Sequence, residues 1–308
     1  VRHGNCWTKT IFEMAKRTKD EFTRDWIIEN SVEILSRYEP GVLTIRALHY
    51  QLVSIGMTNT LQHYKRVVSA MEVARWDGRV DFEAFSDRDR AMCGETKAEP
   101  TDLEEKQDEA KAQVRAWMRS YHKNRWENQP IYPEILIEKK ALEGVFAKPC
   151  RNWDIAVGAC KGYPSLTFLF ELSERLREAQ ANGKQCVILY FGDYDPSGED
   201  IPRSIGENLQ KFGIFGVEIR RIALMEQQVI EWKLPPAPAK ETDSRTANWD
   251  GLGQVELDAV KPEKLISLLD DAINDIFDRE LYDELLERES DEREQFQTEL
   301  KRYVEDDL

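Results

Sequence analysis

Several features that commonly announce a protein's chemistry are missing from this 308-residue sequence. Its five cysteines (Cys6, Cys93, Cys150, Cys160 and Cys186) are scattered, odd in number and never spaced as CxxC or as a Cys/His set. That excludes an obvious zinc knuckle or disulfide framework and fits the reduced thiols of an intracellular protein. The longest apolar runs are short pieces such as Val187–Phe191, far below the roughly 20 residues that span a bilayer. Residues 1–20 alternate charged and apolar side chains without an h-region, which reads against a signal peptide. Opening on Val1, the sequence leaves open whether its natural start is included. There is no glycine-rich nucleotide loop, so no ATPase segment is expected. With 41% hydrophobic and 33% charged residues, the chain can bury a core and stay soluble. The expected protein is globular, cytoplasmic and not membrane-bound.

A net charge of −15 at first argues against a nucleic-acid partner, but the charge is uneven. Residues 270–308 carry 16 acidic and 5 basic side chains, or −11, whereas residues 1–90 carry 14 basic and 13 acidic, or +1. The remaining −5 falls on residues 91–269. A near-neutral front portion can still present a basic face, so DNA binding survives the test without gaining from it.

The chain reads in parts. From Phe22 to about Arg90, three helices are expected: one through Trp26–Leu35, one capped by Thr44 and closed by Gly56, and one starting at Asn59 or Thr60. Asp77-Gly78 then signals a hairpin with Arg79–Phe82 on its far side. Three helices and a small ribbon are the order of a winged helix-turn-helix. Residues 95–130 read as a connector, acidic up to Glu109 and then helical over Ala110–Trp126. From Ile131 the pattern alternates. Strands are expected at Glu134–Ile137, Asp154–Val157, Gln185–Phe191, Val217–Ile222 and Val255–Leu257, with helices between them and at Pro262–Phe277. Such alternation implies βαβ units and a mostly parallel, Rossmann-like sheet. Leu234–Gly253 is a long loop, read as a functional surface. Beyond Asp278 a charged helix with a sparse apolar face is expected, solvated on its acidic side.

The chemistry concentrates at two strand ends. One hydrophobic strand ends in Glu138-Lys139, and another in Asp193-Tyr194-Asp195-Pro196-Ser197-Gly198. In parallel α/β sheets, ligands sit outside the carboxyl ends of the strands, so Glu138, Asp193 and Asp195 can converge. A few carboxylates, with water and phosphate completing the shell, are what Mg²⁺ requires. Pro196 and Gly198 force a tight turn after the pair and permit close approach of a backbone or phosphate. The plainer alternative is that the aspartates cap the next helix and Glu138 pairs with Lys139.

These residues resemble a known family. The Glu138 strand end, the Cys160-Lys161-Gly162-Tyr163-Pro164-Ser165 turn and the Asp193–Gly198 segment look like a Toprim domain. The version they resemble is that of the A subunit of type IIB topoisomerases (topoisomerase VI) and the related meiotic double-strand-break protein. Glu256-Leu257-Asp258-Ala259 falls where that family carries a similar late strand, and the likeness runs roughly from residue 40 to 278. It implies an α/β chain with a winged-helix domain at 1–94, a helical linker at 95–130, a Toprim domain at 131–278 and an acidic helical tail at 279–308. It also implies Mg²⁺ held by Glu138, Asp193 and Asp195, with Glu138 doubling as general acid or base.

In the same family the winged-helix domain supplies a catalytic tyrosine from an Arg-x-x-x-Tyr segment, which Arg46 through Tyr50 match. The physics is coherent without the family. Arg46 and Tyr50 are i and i+4 on a helix, hence on one face. A guanidinium there can bind the scissile phosphate and favour a phenolate, whose ordinary pKa is about 10. The product would be a tyrosyl–DNA phosphodiester. The structural alternative for Tyr50 is a core aromatic of an amphipathic helix. The resemblance further implies a homodimer on double-stranded DNA, with Tyr50 of one protomer meeting the acids of the other. Strand passage would need a separate ATPase or other partner subunit. The acidic tail departs from a typical DNA enzyme, and the chain is similar to the minimal A-subunit-like proteins of phages and plasmids.

Other residues carry weaker signals. His49 reads as a packing or DNA-contact residue, because its helix neighbour Tyr50 points about 100° away. Lys139, Lys161 and Arg203 are phosphate-contact candidates, as are Arg88, Arg90 and Tyr64-Lys65-Arg66. Glu256 and Asp258 are candidates to extend the metal site. Three functions are therefore expected in order: Mg²⁺-dependent DNA cleavage by tyrosyl transesterification, hydrolytic cleavage by a Toprim nuclease with Tyr50 structural, and non-catalytic DNA or partner binding.

Overall fold

A computed structural model describes residues 21–85, 102–236 and 253–307. The expectations placed on Arg88, Arg90, Cys6, Cys93 and most of the Leu234–Gly253 loop lie outside the described residues.

The front of the chain forms three helices, α1 (Arg24–Leu35), α2 (Ile45–Ser54) and α3 (Leu61–Trp76). Each starts where a threonine side chain accepts a hydrogen bond from an orphan amide: Thr23 from Trp26, Thr44 from Ala47 and Thr60 from His63. Their apolar stripes meet in one buried cluster that includes Ile27, Ile28, Leu48, Leu52, Val67 and Met71. The hairpin expected after α3 is not formed. The amides of Arg79 and Val80 both donate to Ala74 O, at 2.8 and 3.2 Å, so the chain folds back on the helix end and cannot pair as a strand. A 3₁₀ turn at Phe82–Ala84 follows, and only a single parallel bridge joins Leu43 to Phe85.

The connector helix is α4 (Leu103–Arg119), earlier than its expected position. Asp102 caps it by accepting from the Glu104 amide at 3.1 Å. Trp126 lies beyond it, buried, with its indole N–H on Trp153 O at 2.7 Å.

The rest is an α/β fold. Strands β1 (Ile131–Ile137), β2 (Ala156–Ala159), β3 (Gln185–Phe191) and β4 (Glu218–Ala223) form one sheet in the order β2-β1-β3-β4, and every pairing is parallel. The expected fifth strand, Val255–Leu257, is instead one antiparallel bridge between Val255 and Tyr194, followed by a 3₁₀ turn at Leu257–Ala259. The second expected strand begins at Ala156, because Asp154 takes a left-handed turn (φ 54°).

The helices of this part are α5 (Glu143–Asn152), α6 (Leu166–Ala181), α7 (Pro196–Lys211), α8 (Glu226–Trp232) and α9 (Pro262–Asn274). Side chains along β3 alternate strictly between two cores. Val187, Leu189 and Phe191 face α5 and α9, whereas Cys186, Ile188 and Tyr190 face α6 and α7. That is why β3 is apolar throughout: both of its faces are buried. The charged tail forms α10 (Arg279–Asp307). It is not wholly solvated, since Leu285 and Glu289 are buried and Glu289 accepts from the Lys123 amide at 2.7 Å. Among the described residues, no helix is long and apolar enough to cross a membrane.

Leu189 is fully buried at the centre of the sheet. Leu189→Ala is expected to cost about 2–5 kcal/mol of stability, read as a lower urea midpoint. A loss well under that range would mean the sheet core is not packed as described.

Candidate functional site

The sheet order decides which acids meet. β1 and β3 are adjacent although β2 lies between them in sequence, so the residues leaving their carboxyl ends are neighbours. Glu138 extends the ladder, its amide donating to Phe191 O at 2.8 Å. Its side chain turns back across the sheet end, and Oε2 accepts the Asp193 amide at 2.8 Å and the Tyr190 hydroxyl at 3.3 Å. Asp193 faces a third segment, because the Tyr194–Val255 bridge draws in the 3₁₀ turn and Asp193 Oδ1 accepts the Leu257 amide at 2.7 Å. Glu256 and Asp258, on either side of Leu257, enter the site with it.

Asp195 is placed differently. Its side chain is the N-cap of α7, with Oδ1 accepting the Gly198 amide at 2.7 Å. The helix-capping alternative thus describes one oxygen of Asp195. Gly198 is required by close approach: a Cβ there would lie 2.2 Å from Asp193 O and 3.0 Å from Glu138 Oε2. Arg221, which the sequence does not single out, fastens this turn. Its guanidinium donates to Asp193 O at 2.7 Å and to Gly198 O. No spacing signal marks it, since it lies on β4 and its partners are backbone carbonyls.

Lys139, expected as a phosphate contact or as the partner of Glu138, is central and pairs with other acids. Nζ is within salt-bridge range of Asp193, Glu256 and Asp258. Burial opposes its charge, yet the three carboxylates together push its pKa upward. Glu256 is held below the usual carboxylate range by Lys139 and Arg46, against the opposing effect of burial. Glu138 and Asp193 move the other way. Burial is the main cause for both; the charge of Asp195 adds to it at Glu138, and that of Glu138 adds to it at Asp193. Hydrogen bonds from amides and the nearby Lys139 only partly offset this.

The front helices close the other side. Arg46, on the first turn of α2, forks onto Glu256 with Nη1 at 2.8 and 2.9 Å from the two carboxylate oxygens, and its guanidinium lies over the Tyr64 ring. Tyr38 reaches Glu263 at 3.3 Å, and Asn59 donates to Pro236 O at 2.6 Å. A cleft of 820 Å³ is lined by Arg46, Glu138, Lys139, Lys161, Glu256 and Asp258, among others.

Tyr50 follows Arg46 by one helical turn but points into the sheet's core cluster and is only 3% exposed. Burial, and after it the charge of Glu256, push its phenol well above the ordinary value, with Lys139 and Arg46 pulling weakly the other way. His49 is also buried, against Tyr50 and Tyr64, with one ring nitrogen near Asn59 Oδ1 at 3.3 Å. Arg203 is engaged by Asp200 and Glu207 on the exposed face of α7. The Lys161-Gly162 turn lies over the strand end, its Gly162 amide donating to Glu138 O at 3.3 Å.

The donors here are all oxygen, which suits a hard cation. The bonds described engage Glu138 only through Oε2 and Asp195 only through Oδ1. Five carboxylates (Glu138, Asp193, Asp195, Glu256 and Asp258) face three cations (Lys139, Arg46 and Arg221), a formal −2 with all five ionised, which the proton-holding tendency of Glu138 and Asp193 reduces. Oδ1 of Asp258 is buried with no partner. A hydrated Mg²⁺, which keeps several waters and binds through one or two carboxylates, fits that charge and chemistry. As arranged, though, no group of three His, Cys, Asp or Glu among the described residues is set to hold a metal ion.

Comparison with protein-family models, with curated proteins and with solved structures finds no match for this chain.

Two outcomes follow from this geometry. Glu138 holds its proton more strongly folded than unfolded, so its ionisation lowers stability as pH rises above the ordinary carboxylate range. In chelator, Glu138→Gln is therefore expected to melt higher than wild type, with a gain that grows with pH; a gain that shrinks with pH would contradict this. Glu256→Gln is expected to speed amide exchange within α2 about tenfold by weakening the Arg46 fork. Unchanged exchange would mean that α2 is held by packing alone.

Proposed function

We propose that this chain is a Mg²⁺-dependent DNA-cleaving enzyme of the topoisomerase VI A-subunit type. The observation that carries this reading is the meeting of Glu138 and Asp193 at the ends of adjacent parallel strands, beside a cleft that Glu138, Lys139 and Arg46 line. On this reading α1–α3 belong to a winged-helix domain, and the α/β part is a Toprim domain. Glu138, Asp193 and Asp195 would hold the ion, which supplies charge stabilisation to the transferring phosphoryl group.

The chain's own residues do the rest. The planar fork of Arg46 suits bidentate contact with a phosphate, and Lys161 lines the same cleft. Arg221 and Gly198 keep the acid-bearing turn tight. Attack by the Tyr50 oxygen on phosphorus forms a tyrosyl phosphodiester and breaks the bond to the 3′ or 5′ oxygen of the strand; the phenolic proton leaves to water, and the departing oxygen would take the proton that burial favours on Glu138. For that route α2 must part from Glu256, because the Tyr50 hydroxyl is buried and its phenol held protonated. Parting would also present Tyr50 to the acids of a second protomer, the arrangement expected for a homodimer on double-stranded DNA.

The burial of Tyr50 favours a second reading, hydrolysis by water in the same cleft, which needs no movement of α2. Cleavage of supercoiled plasmid with Mg²⁺, quenched in detergent and run with and without protease, separates the two. Transesterification predicts broken DNA that enters the gel normally only after protease and is lost in Tyr50→Phe. Free ends still made by Tyr50→Phe would establish hydrolysis. Asp193→Asn is expected to abolish either activity; cleavage that persists in it would remove both readings, and no cleavage by wild type would leave a binding protein.

A further inference from the structure

The ammonium of Lys139 occupies a cage of carboxylate oxygens. Nζ lies 2.9 Å from Asp258 Oδ2, 3.1 Å from Asp193 Oδ2 and 3.2 Å from Glu256 Oε2. An ammonium has three donors, and three carboxylates surround it here. Asp258 is 2% exposed, and its other oxygen, Oδ1, is buried without a partner. A carboxylate buried this deeply normally has its acceptors satisfied, and leaving one unmade is costly. A compact point charge on one lysine cannot bridge both oxygens of Asp258 while serving two other acids; a divalent cation, which accepts mono- or bidentate carboxylates, can. Lys139 Nζ stands at the point where oxygens of Asp193, Glu256 and Asp258 come together.

We propose that Lys139 holds the seat of a second metal ion, so that the chain carries one of its two site cations covalently and leaves a single divalent ion to Glu138, Asp193 and Asp195. Sites that displace an oxygen from phosphorus often use two divalent ions a few ångströms apart. Here the second positive charge is a side chain that is always present, cannot be chelated and positions Asp193, Glu256 and Asp258 before any ion arrives. Lys139 is thus a positioning residue for the cluster. Arg46 closes the same seat from the helical side through Glu256, which ties the docking of α2 to how the cage is filled. The seat is defined by these side chains and does not rest on the cleavage reading.

The test counts Mn²⁺ bound to the full chain by electron paramagnetic resonance of the free ion, for wild type, Lys139→Met and Lys139→Met/Asp258→Asn. Lys139→Met is expected to bind one more ion per chain than wild type, and the double variant to return to the wild-type count. A folded Lys139→Met with the wild-type count overturns the proposal, as does a double variant that keeps the extra ion. If Lys139→Met is unfolded in chelator, millimolar Mn²⁺ is expected to restore its melting transition by refilling the seat. Failure of Mn²⁺ to restore it overturns the proposal equally. The wild-type count alone tests the Mg²⁺ reading above, while the difference between variant and wild type tests this one.

Discussion

The hydrogen bond from the Asp193 amide to Glu138 Oε2, 2.8 Å long and buried, joins the carboxyl ends of β1 and β3, and the whole site is built outward from it. It holds two acids together where water is scarce, although burial and mutual repulsion both act against their ionised forms. Such a cluster persists only if cations and oriented amides repay the desolvation. They are supplied from four separate places: Lys139 from the end of β1, Arg221 from β4, the Leu257 amide from the turn after the Val255 bridge, and Arg46 from α2. Removing one partner exposes the rest to uncompensated charge, so site and fold are coupled at this point.

That coupling reaches the front helices. They have a core of their own, yet α2 rests on the 3₁₀ turn that carries Asp258 and gives Tyr50 to the sheet's core. The contact is polar at its rim, through Arg46–Glu256, Tyr38–Glu263 and Asn59–Pro236, and buried at Tyr50, whose ring joins the apolar core while its phenol lies by Glu256. A polar rim of half-exposed groups is a weak clamp, while a fully buried aromatic is a strong one. Tyr50 is therefore the main structural tie of α2 in this arrangement and, on the proposed function, also its nucleophile. One residue cannot serve both roles in one conformation, which makes the position of α2 the variable that separates transesterification from hydrolysis.

Several elements were legible in the sequence for plain physical reasons. Threonine caps marked the starts of α2 and α3, and an unbroken apolar run marked β3 as a strand buried on both faces. The Asp-x-Asp-Pro-x-Gly segment announced a tight strand-to-helix turn, and Gly198 indeed packs where any side chain would strike the Asp193 carbonyl. Two of the misreadings share one cause. Asp77-Gly78 carries a hairpin signal, but its following amides were captured by the end of α3. Val255–Leu257 has a strand's composition, but its pairing partner was a loop residue, Tyr194, and only one bridge forms. In both places local preference was real and a competing backbone partner won.

The sequence by itself determined that there would be helices followed by alternating strands and helices, that two strands would end in carboxylates, and that Arg46 and Tyr50 would lie one turn apart on a helix. These follow from periodicity, capping and the length of apolar runs, which act over a few neighbours. Only the tertiary structure decided that β1 and β3 lie side by side, that Lys139 points into the acids, that Arg221 braces their backbone, and that Tyr50 is buried and not presented. Those outcomes depend on strand order and on contacts between residues as far apart as Arg46 and Glu256, and no local spacing encodes them.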